Sequence, residues 1–492
     1  MKFSFGSILA ATAAGLQLVN AIDLDPNNVT SIKAAARTLA FALQSYYVNN
    51  QTTTPPGMVG TWPGPTWYWW KGGAIWGGMV DYWAYTNDSA WNTVTQQGIL
   101  AQVGPYYNFE PPAYNGNLGN DDQAFWALAA MSAAEYDFPV AQGQNVTWID
   151  LAKAVFDRQV ARWDTATCGG GLRWQVFEAN QGWNYKNSIS NGGLFQIAAR
   201  LARYTGNQTY IDWSEKTWEW MSDIGLVSPS YQVFDGSDVL KNCSELDHTQ
   251  WTYNPAVMIY GTAALANLTD DPIWKNRTEG LLTSIENTYF SVFPNATDIM
   301  VESACEPTNN CDDDQLSFKA YLSRWLAKSA VVYPAILPNV QKYLTTTALG
   351  VAKACTGNAT GDACGQKWYT GGFDGRTGYD QQLTALETVQ ALLLLNGAAP
   401  KMFPDTSDNV TIQVRPVTST FPLEAPTITA AKPPKASSNG ASSSSSLLTR
   451  SASSGTRSTD WPNRSPWATL NSWAFGIGLI SVIAISVMGM GN

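Results

Sequence analysis

Histidine is nearly absent: the 492-residue chain holds one, His248. A zinc site built from imidazoles, or a non-haem iron triad, needs two or three and is excluded. Charge is also scarce, at 14% of residues, and its balance is acidic: 29 Lys and Arg face 39 Asp and Glu, for a formal net charge of −10. A protein that tracks nucleic-acid phosphates needs a cationic face, so no nucleic-acid partner is expected. No Gly-x-Ser-x-Gly elbow occurs, so Asp247-His248 does not read as part of a serine hydrolase. What is plentiful is aromatic surface, with 22 Trp, 21 Tyr and 17 Phe. Flat apolar faces with few charges suit a neutral ligand that has apolar faces of its own. Sugars fit that description, and nothing calls for a metal or other cofactor.

The ends read as addresses. Residues 1–21 carry a charged start at Lys2, a small-apolar run from Ile8 to Val19, and Val19-Asn20-Ala21 at the cleavage positions of a secretory signal. At the other end, 473–492 is an apolar tail with no Lys or Arg beyond it. A Ser/Thr/Pro-rich stalk, 413–472, precedes it and holds small residues from Ala436 to Gly455, with Ser453 or Ser454 best spaced for attachment. Small residues, a polar spacer and a terminal apolar tail make a glycosylphosphatidylinositol (GPI) signal, whose tail is removed. The expected location is therefore outside the cell, anchored to the outer face of the plasma membrane and the wall.

Glycosylation sequons at Asn28, Asn50, Asn87, Asn145, Asn207, Asn242, Asn267, Asn276, Asn295, Asn358 and Asn409 agree with export. The six cysteines are even in number, and in an oxidising compartment they read as disulfides rather than ligands. Local spacing favours Cys305–Cys311 and Cys355–Cys364, leaving Cys168–Cys243.

The body between the ends, residues 22–412, reads as all-α. Helical periodicity marks 30–47, 67–86, 91–106, 121–135, 147–162, 191–205, 209–223, 253–268, 272–290, 313–330, 333–353 and 378–396. The turns from Tyr85 to Trp91, Tyr204 to Tyr210 and Leu268 to Trp274 share one plan: an apolar end, a polar turn, an aromatic re-entry. With Tyr136 and Ala330 at similar points, though without the full turn pattern, the recurrence is about every 60 residues, which divides the body into six helical hairpins. An open solenoid is the rival, but no polar capping repeat is visible, so a closed ring is favoured.

One segment concentrates chemistry. Gly119-Asn-Asp-Asp-Gln-Ala-Phe-Trp126 opens a helix, with Asn120 as the expected N-cap and Gln123 at a capping-box spacing. Acids at a helix start often serve only the dipole. Here aromatics flank them: Tyr106, Tyr107, Phe109 and Tyr114 before, Phe125 and Trp126 after. On a strand, neighbouring side chains point apart. In a first helical turn they diverge by about 100° with Cα atoms about 3.8 Å apart, which leaves the carboxyls around 5 Å from each other. That separation suits a retaining glycosidase, whereas an inverting one needs room for a water. Repulsion between them keeps one protonated.

The segment Gly119–Glu135 resembles the catalytic stretch of glycoside hydrolase family 76, the endo-α-1,6-mannanases, and in particular its fungal GPI-anchored members. Similar stretches start at Trp67 (W-Y-W-W-K-G-G-A-I-W-G), Tyr185 (Y-K-N-S-I-S-N-G-G), Asp314 (D-Q-L-S-F-K-A-Y-L-S-R-W) and Phe373 (F-D-G-R-T-G). The resemblance implies an (α/α)6 barrel, with Asp121 as nucleophile and Asp122 as general acid/base. It implies an endo-α-1,6-mannosidase acting on mannan or on the mannoside glycan of GPI anchors, with β-glucan as a possible acceptor in transfer. The alternative is a catalytically idle wall protein that binds mannan; the intact Asp pair favours the enzyme.

Around the pair, Asn120, Asn187, Asn191, Trp251, Asp374 and Arg376 are the candidate sugar contacts. Asn187 and Asn191 serve equally well as helix caps, and Asp374 and Arg376 as an internal ion pair. Asp312-Asp-Asp314 reads as a capped helix start or as cleft lining; it lacks the calcium-loop pattern.

Overall fold

The computed structural model describes residues 22–62, 68–140, 146–358 and 361–403. The signal, stalk and tail expected at the ends lie outside them, as do Asn145 and Asn409. Twelve α-helices occupy the described residues: α1 Val29–Gln44, α2 Trp69–Thr86, α3 Asn92–Leu100, α4 Asn120–Glu135, α5 Trp148–Ala161, α6 Ser188–Thr205, α7 Gln208–Asp223, α8 Tyr253–Thr269, α9 Pro272–Ile285, α10 Phe318–Val332, α11 Leu337–Ala354 and α12 Tyr379–Leu395. The even-numbered helices pack one on the next, and α12 returns to α2. The odd ones lie outside, with α1 laid against α12. Six hairpins thus close into an (α/α)6 barrel.

The two layers bury their residues differently. Outer helices such as α1 and α7 bury one stripe. Inner helices are enclosed on all sides: α4 buries every residue except Asp121 and Asp122, and α12 buries all of Asp380–Leu395. Helix α2 carries four glycines, each a poor helix former, because its neighbours need the space. A Cβ on Gly73 would stand 2.8 Å from the Trp126 ring, and one on Gly78 would stand 2.2 Å from Glu387 Oε1.

That space admits a charge network that joins all six inner helices. Lys328 Nζ meets Asp81 Oδ1 at 2.8 Å, and Arg324 grips Glu387 with bonds of 2.8 and 3.2 Å. Arg200 grips Glu135 at 2.8 and 2.9 Å and lies 5.0 Å over the Tyr260 ring. Ser132 Oγ accepts from both Lys328 (2.8 Å) and Arg200 (3.2 Å), joining the two halves. Three carboxylates balance three cations, and all six charged residues are buried.

Several helix ends differ from the expected ones. Helix α3 stops at Leu100, and Gly104, Tyr107 and Phe109 then turn with positive φ. Helix α10 begins at Phe318 rather than 313, because Asp312 Oδ1 takes the amides of Asp314 (3.0 Å) and Gln315 (3.4 Å) in a turn of its own. Short antiparallel pairings were not expected: β1 Tyr185–Asn187, β2 Gly236–Asp238 and β3 Leu246–Asp247 form one sheet, β4 Cys355–Gly357 and β5 Ala363–Cys364 another. The disulfides are Cys168–Cys243, Cys305–Cys311 and Cys355–Cys364, the pairing that spacing favoured. Each described sequon asparagine is exposed except Asn267, which is half-buried and accepts from Arg203. Among the described residues no helix is long and apolar enough to cross a membrane.

Removing one partner of a buried ion pair strands the other. Arg200→Met is therefore expected to cost about 3–5 kcal/mol, read by guanidinium unfolding. A loss below about 1 kcal/mol would show that Glu135 finds another partner or takes up a proton cheaply.

Candidate active site

The inner helices aim their N-termini at one end of the ring, and the acids gather there. Asp121 and Asp122 open α4, Asp314 precedes α10, and Asp380 opens α12. Asp121, Asp122 and Asp314 are each set deep among protein atoms with one side open, as on a cleft floor.

Gly119, not Asn120, is the N-cap of α4. Asp122 reaches back to the start of the helix, its Oδ2 accepting the Gly119 amide at 2.8 Å, while Asp121 Oδ1 is buried and no side chain donates to it. The point where a Gly119 Cβ would stand is 2.2 Å from Asp121 Oδ1 and 3.2 Å from Asp122 Oδ2. Those two oxygens are therefore no farther apart than the sum of these distances. That upper bound admits the roughly 5–5.5 Å of a retaining pair and, for these two oxygens, lies below the roughly 6.5–9.5 Å of an inverting one. Gly119 is required for its bare backbone.

Burial raises both carboxyls, and the charge on Asp122 raises Asp121 further. Asp122 stands at about 6, held down by the Gly119 amide. The two titrate as a unit, so over a pH window they share one proton. Asp314 is pushed up to about 7 by burial, against the pull of Lys71, with Asp312 and Asp122 adding to the rise. Trp70 Nε1 donates to Asp314 Oδ1 at 3.3 Å. Buried Lys71 is the local cation: it pairs with Asp380 at 2.9 Å and donates to the Asp313 carbonyl.

Aromatics wall the pair. Phe125 packs 4.6 Å from Trp70, and Trp69 stacks between Tyr114 and Trp126 at 5.4 and 5.3 Å. Tyr106 and Tyr107 face solvent instead. Tyr253 stacks on Phe318 at 3.8 Å, close enough to Asp121 and Asp314 for their charges to raise its pKa after burial. Asp235, lifted to about 6 chiefly by burial, accepts from the Tyr185 hydroxyl at 2.8 Å. Nothing in the sequence singled out Asp235 or Tyr253; Asp235 follows no motif and reaches the site only through the β1–β2 pairing.

The other expected sugar contacts separate. Asn120 is buried, its amide donating to the Arg173 carbonyl and accepting from Arg162, which removes it from the cleft. Asn191 is fully buried and clamps the Leu172 backbone. Asn187 caps α6, as its alternative reading had it. Trp251 lies half-buried on the Cys305, Cys311 and Leu316 cluster, edge-on to Phe318. Asp374 and Arg376 do not pair with each other: Asp374 takes the amides of Gln366, Lys367 and Arg376, and Arg376 donates to the Cys311 carbonyl. Asp312 keeps the turn, as the capped reading had it, and Asp314 stands half-buried within electrostatic reach of Asp122 and Lys71. Among the described residues no group of acids, His or Cys is arranged to hold a metal.

A ring of helical hairpins with two adjacent, protonically linked carboxyls in an aromatic cleft defines a glycoside hydrolase. The family model of glycosyl hydrolase family 76 matches residues 31–403, and the chain belongs to that family. It is 40% identical over 406 residues to a mannan endo-1,6-alpha-mannosidase, DCW1, of Candida albicans, covering 81% of this chain and 87% of that protein. The protein of the same name from Saccharomyces cerevisiae is 40% identical over 386 residues, covering 78% and 84%. Among solved structures, Dfg5 from Chaetomium thermophilum in complex with glucosamine has a TM-score of 0.72 and 38% identity, over 77% of this chain and 93% of that one. An inactive variant of the α-1,6-mannanase of Salegentibacter sp. HEL1_6, in complex with α-1,6-mannotetrose, has the same fold at a TM-score of 0.59 and 17% identity, over 76% and 100%.

Two outcomes follow from the geometry. Gly119→Ala is expected to lower kcat by about 100-fold or more by displacing Asp121, with the melting temperature little changed; retained activity would show that the pair tolerates movement. The kcat/KM profile should gain activity as pH rises through about 6, where the pair gives up its first proton and a carboxylate forms. It should decline again only well above the ordinary carboxylate range, where the second proton leaves. A rise centred near pH 4 would contradict the raised pair.

Proposed function

We propose that this protein is a retaining endo-α-1,6-mannosidase in which Asp121 attacks the anomeric carbon and Asp122 protonates the leaving oxygen. The close approach of the two carboxyls over Gly119 is the observation that carries the reading. Before substrate arrives, the Gly119 amide favours negative charge on Asp122. The proposed roles therefore require the shared proton to pass to Asp122 as the sugar binds. Asp122 then activates whichever hydroxyl resolves the glycosyl intermediate. The substrate class is that of the mannan endo-1,6-alpha-mannosidases to which the chain is about 40% identical.

The same intermediate permits transfer to a sugar. We place the protein at the outer face of the plasma membrane and wall, held by the GPI anchor read in its C-terminal tail. There a neighbouring polysaccharide is present at high effective concentration. The donor would be the mannoside glycan of GPI-anchored proteins and the acceptor β-glucan.

Incubation with α-1,6-mannan should shorten the chains, with the nascent end in the α configuration by proton NMR; a β product contradicts the double displacement. Asp121→Asn should abolish cleavage with the fold intact. Asp122→Asn should spare substrates with good leaving groups more than poor ones. Mass spectrometry with a labelled GPI glycan and a β-glucan oligomer should detect the joined product, and free glycan alone at every acceptor concentration would leave hydrolysis as the activity.

A further inference from the structure

We infer that a second sugar subsite lies beside the cleft, between the Cys305–Cys311 loop and the loop spanning 365–376, and that it holds one more hexose of the glycan chain. The inference rests on the mannan-processing reading above. A pocket of about 280 Å³ opens there, lined among others by Glu306, Gln366, Lys367, Thr370, Asp374 and Arg376. Its volume lies just below the range typical of drug-sized ligands and suits a single ring.

Glu306 is the telling residue. It is 1% exposed. Its Oε1 accepts from Lys319 at 2.6 Å and from Gln366 at 3.0 Å, whereas its Oε2 is buried and no side chain donates to it. A buried acceptor left unmatched costs about 1–3 kcal/mol, more when charged, and asks for a donor from a ligand. On the opposite side, Arg376 spends Nη1 on the Cys311 carbonyl and is otherwise exposed, so donors remain for a ligand's acceptors. A hexose carries hydroxyls that both donate and accept, matching Glu306 and Arg376 together. No aromatic side chain lines the pocket, so the ring is held by hydrogen bonds rather than by stacking. Asp374 binds nothing itself: with both oxygens on backbone amides, it shapes the wall.

Position connects the pocket with the reaction. Cys311, on its rim, is three residues from Asp314 on the cleft floor, at most about 10 Å along the chain. A glycan crossing the carboxyl pair can reach it with a few sugar units.

The test uses α-1,6-manno-oligosaccharides of increasing length on the intact protein. Thr370→Trp closes the exposed mouth, and Arg376→Ala removes a donor without filling it. In the wild type, KM should fall stepwise once the chain is long enough to enter the pocket. In both variants that step should be lost, with KM raised about tenfold for long chains, which is about 1.4 kcal/mol, and unchanged for short ones; both variants should stay fully folded at the assay temperature, since each gives up only hydrogen bonds to loop carbonyls. An equal change at every length, or none at any, overturns the inference. Calorimetric titration of the same oligomers into Asp121→Asn separates the two readings. If wild-type protein cleaves no mannan yet the length step persists in binding and vanishes in the Thr370→Trp background, the subsite stands and the mannosidase falls. Cleavage without a length step does the reverse.

Discussion

Six buried charges, on five of the six inner helices, hold the centre of this ring. A single pair of that kind contributes little net stability, because desolvation offsets its attraction. What the network supplies is mutual dependence. Arg324 needs Glu387 from α12 and space from α2, Lys328 needs Asp81 from α2 and Ser132 from α4, and Arg200 needs Glu135 from α4 beneath Tyr260 of α8. A helix rotated or shifted by one residue leaves a bare charge in the interior. The N-termini that carry the catalytic acids are aligned because the middles of the same helices are locked in this way.

The acids at the open end obey an opposite logic. Helix N-termini favour negative charge, which by itself would leave every carboxylate ionised and no acid to donate a proton. Aromatic walls and mutual repulsion work against the dipoles, and they prevail at Asp121, Asp122 and Asp314. Lys71, paired with Asp380, pulls against the rise at Asp314.

Much of this was legible in the residues. Helix positions followed from apolar spacing, and the hairpin period anticipated the closed ring, because each hairpin must bury its inner helix against two neighbours. The Asp pair was visible because adjacent acids converge only in a helical turn. Capping detail was misread at Asn120: its amide is more strongly claimed by Arg162 and the Arg173 carbonyl, so the bare Gly119 caps instead. Asp235 was invisible because its place depends on a three-stranded sheet assembled from segments some fifty residues apart, with no periodicity to announce it. Even the inner helices are poorly amphipathic, since nearly all their faces are covered, and spacing alone cannot tell which face meets the axis.

One feature of the closure bears on how freely this chain can be cut and rejoined. Helix α1 lies on α12, and the Asn396 amide donates to the Pro26 carbonyl at 3.0 Å, so the first and last helices of the ring meet. Around the ring, the order of hairpins is then cyclic, and the natural opening between α12 and α1 has no special standing. Linking α12 to α1 there and opening an exposed outer turn, such as the one at Gly206–Asn207, gives a circular permutant that keeps the contacts among the inner helices and loses those of the last residues, where Met402 meets the Tyr260 hydroxyl and the Phe403 amide donates to the Glu135 carbonyl.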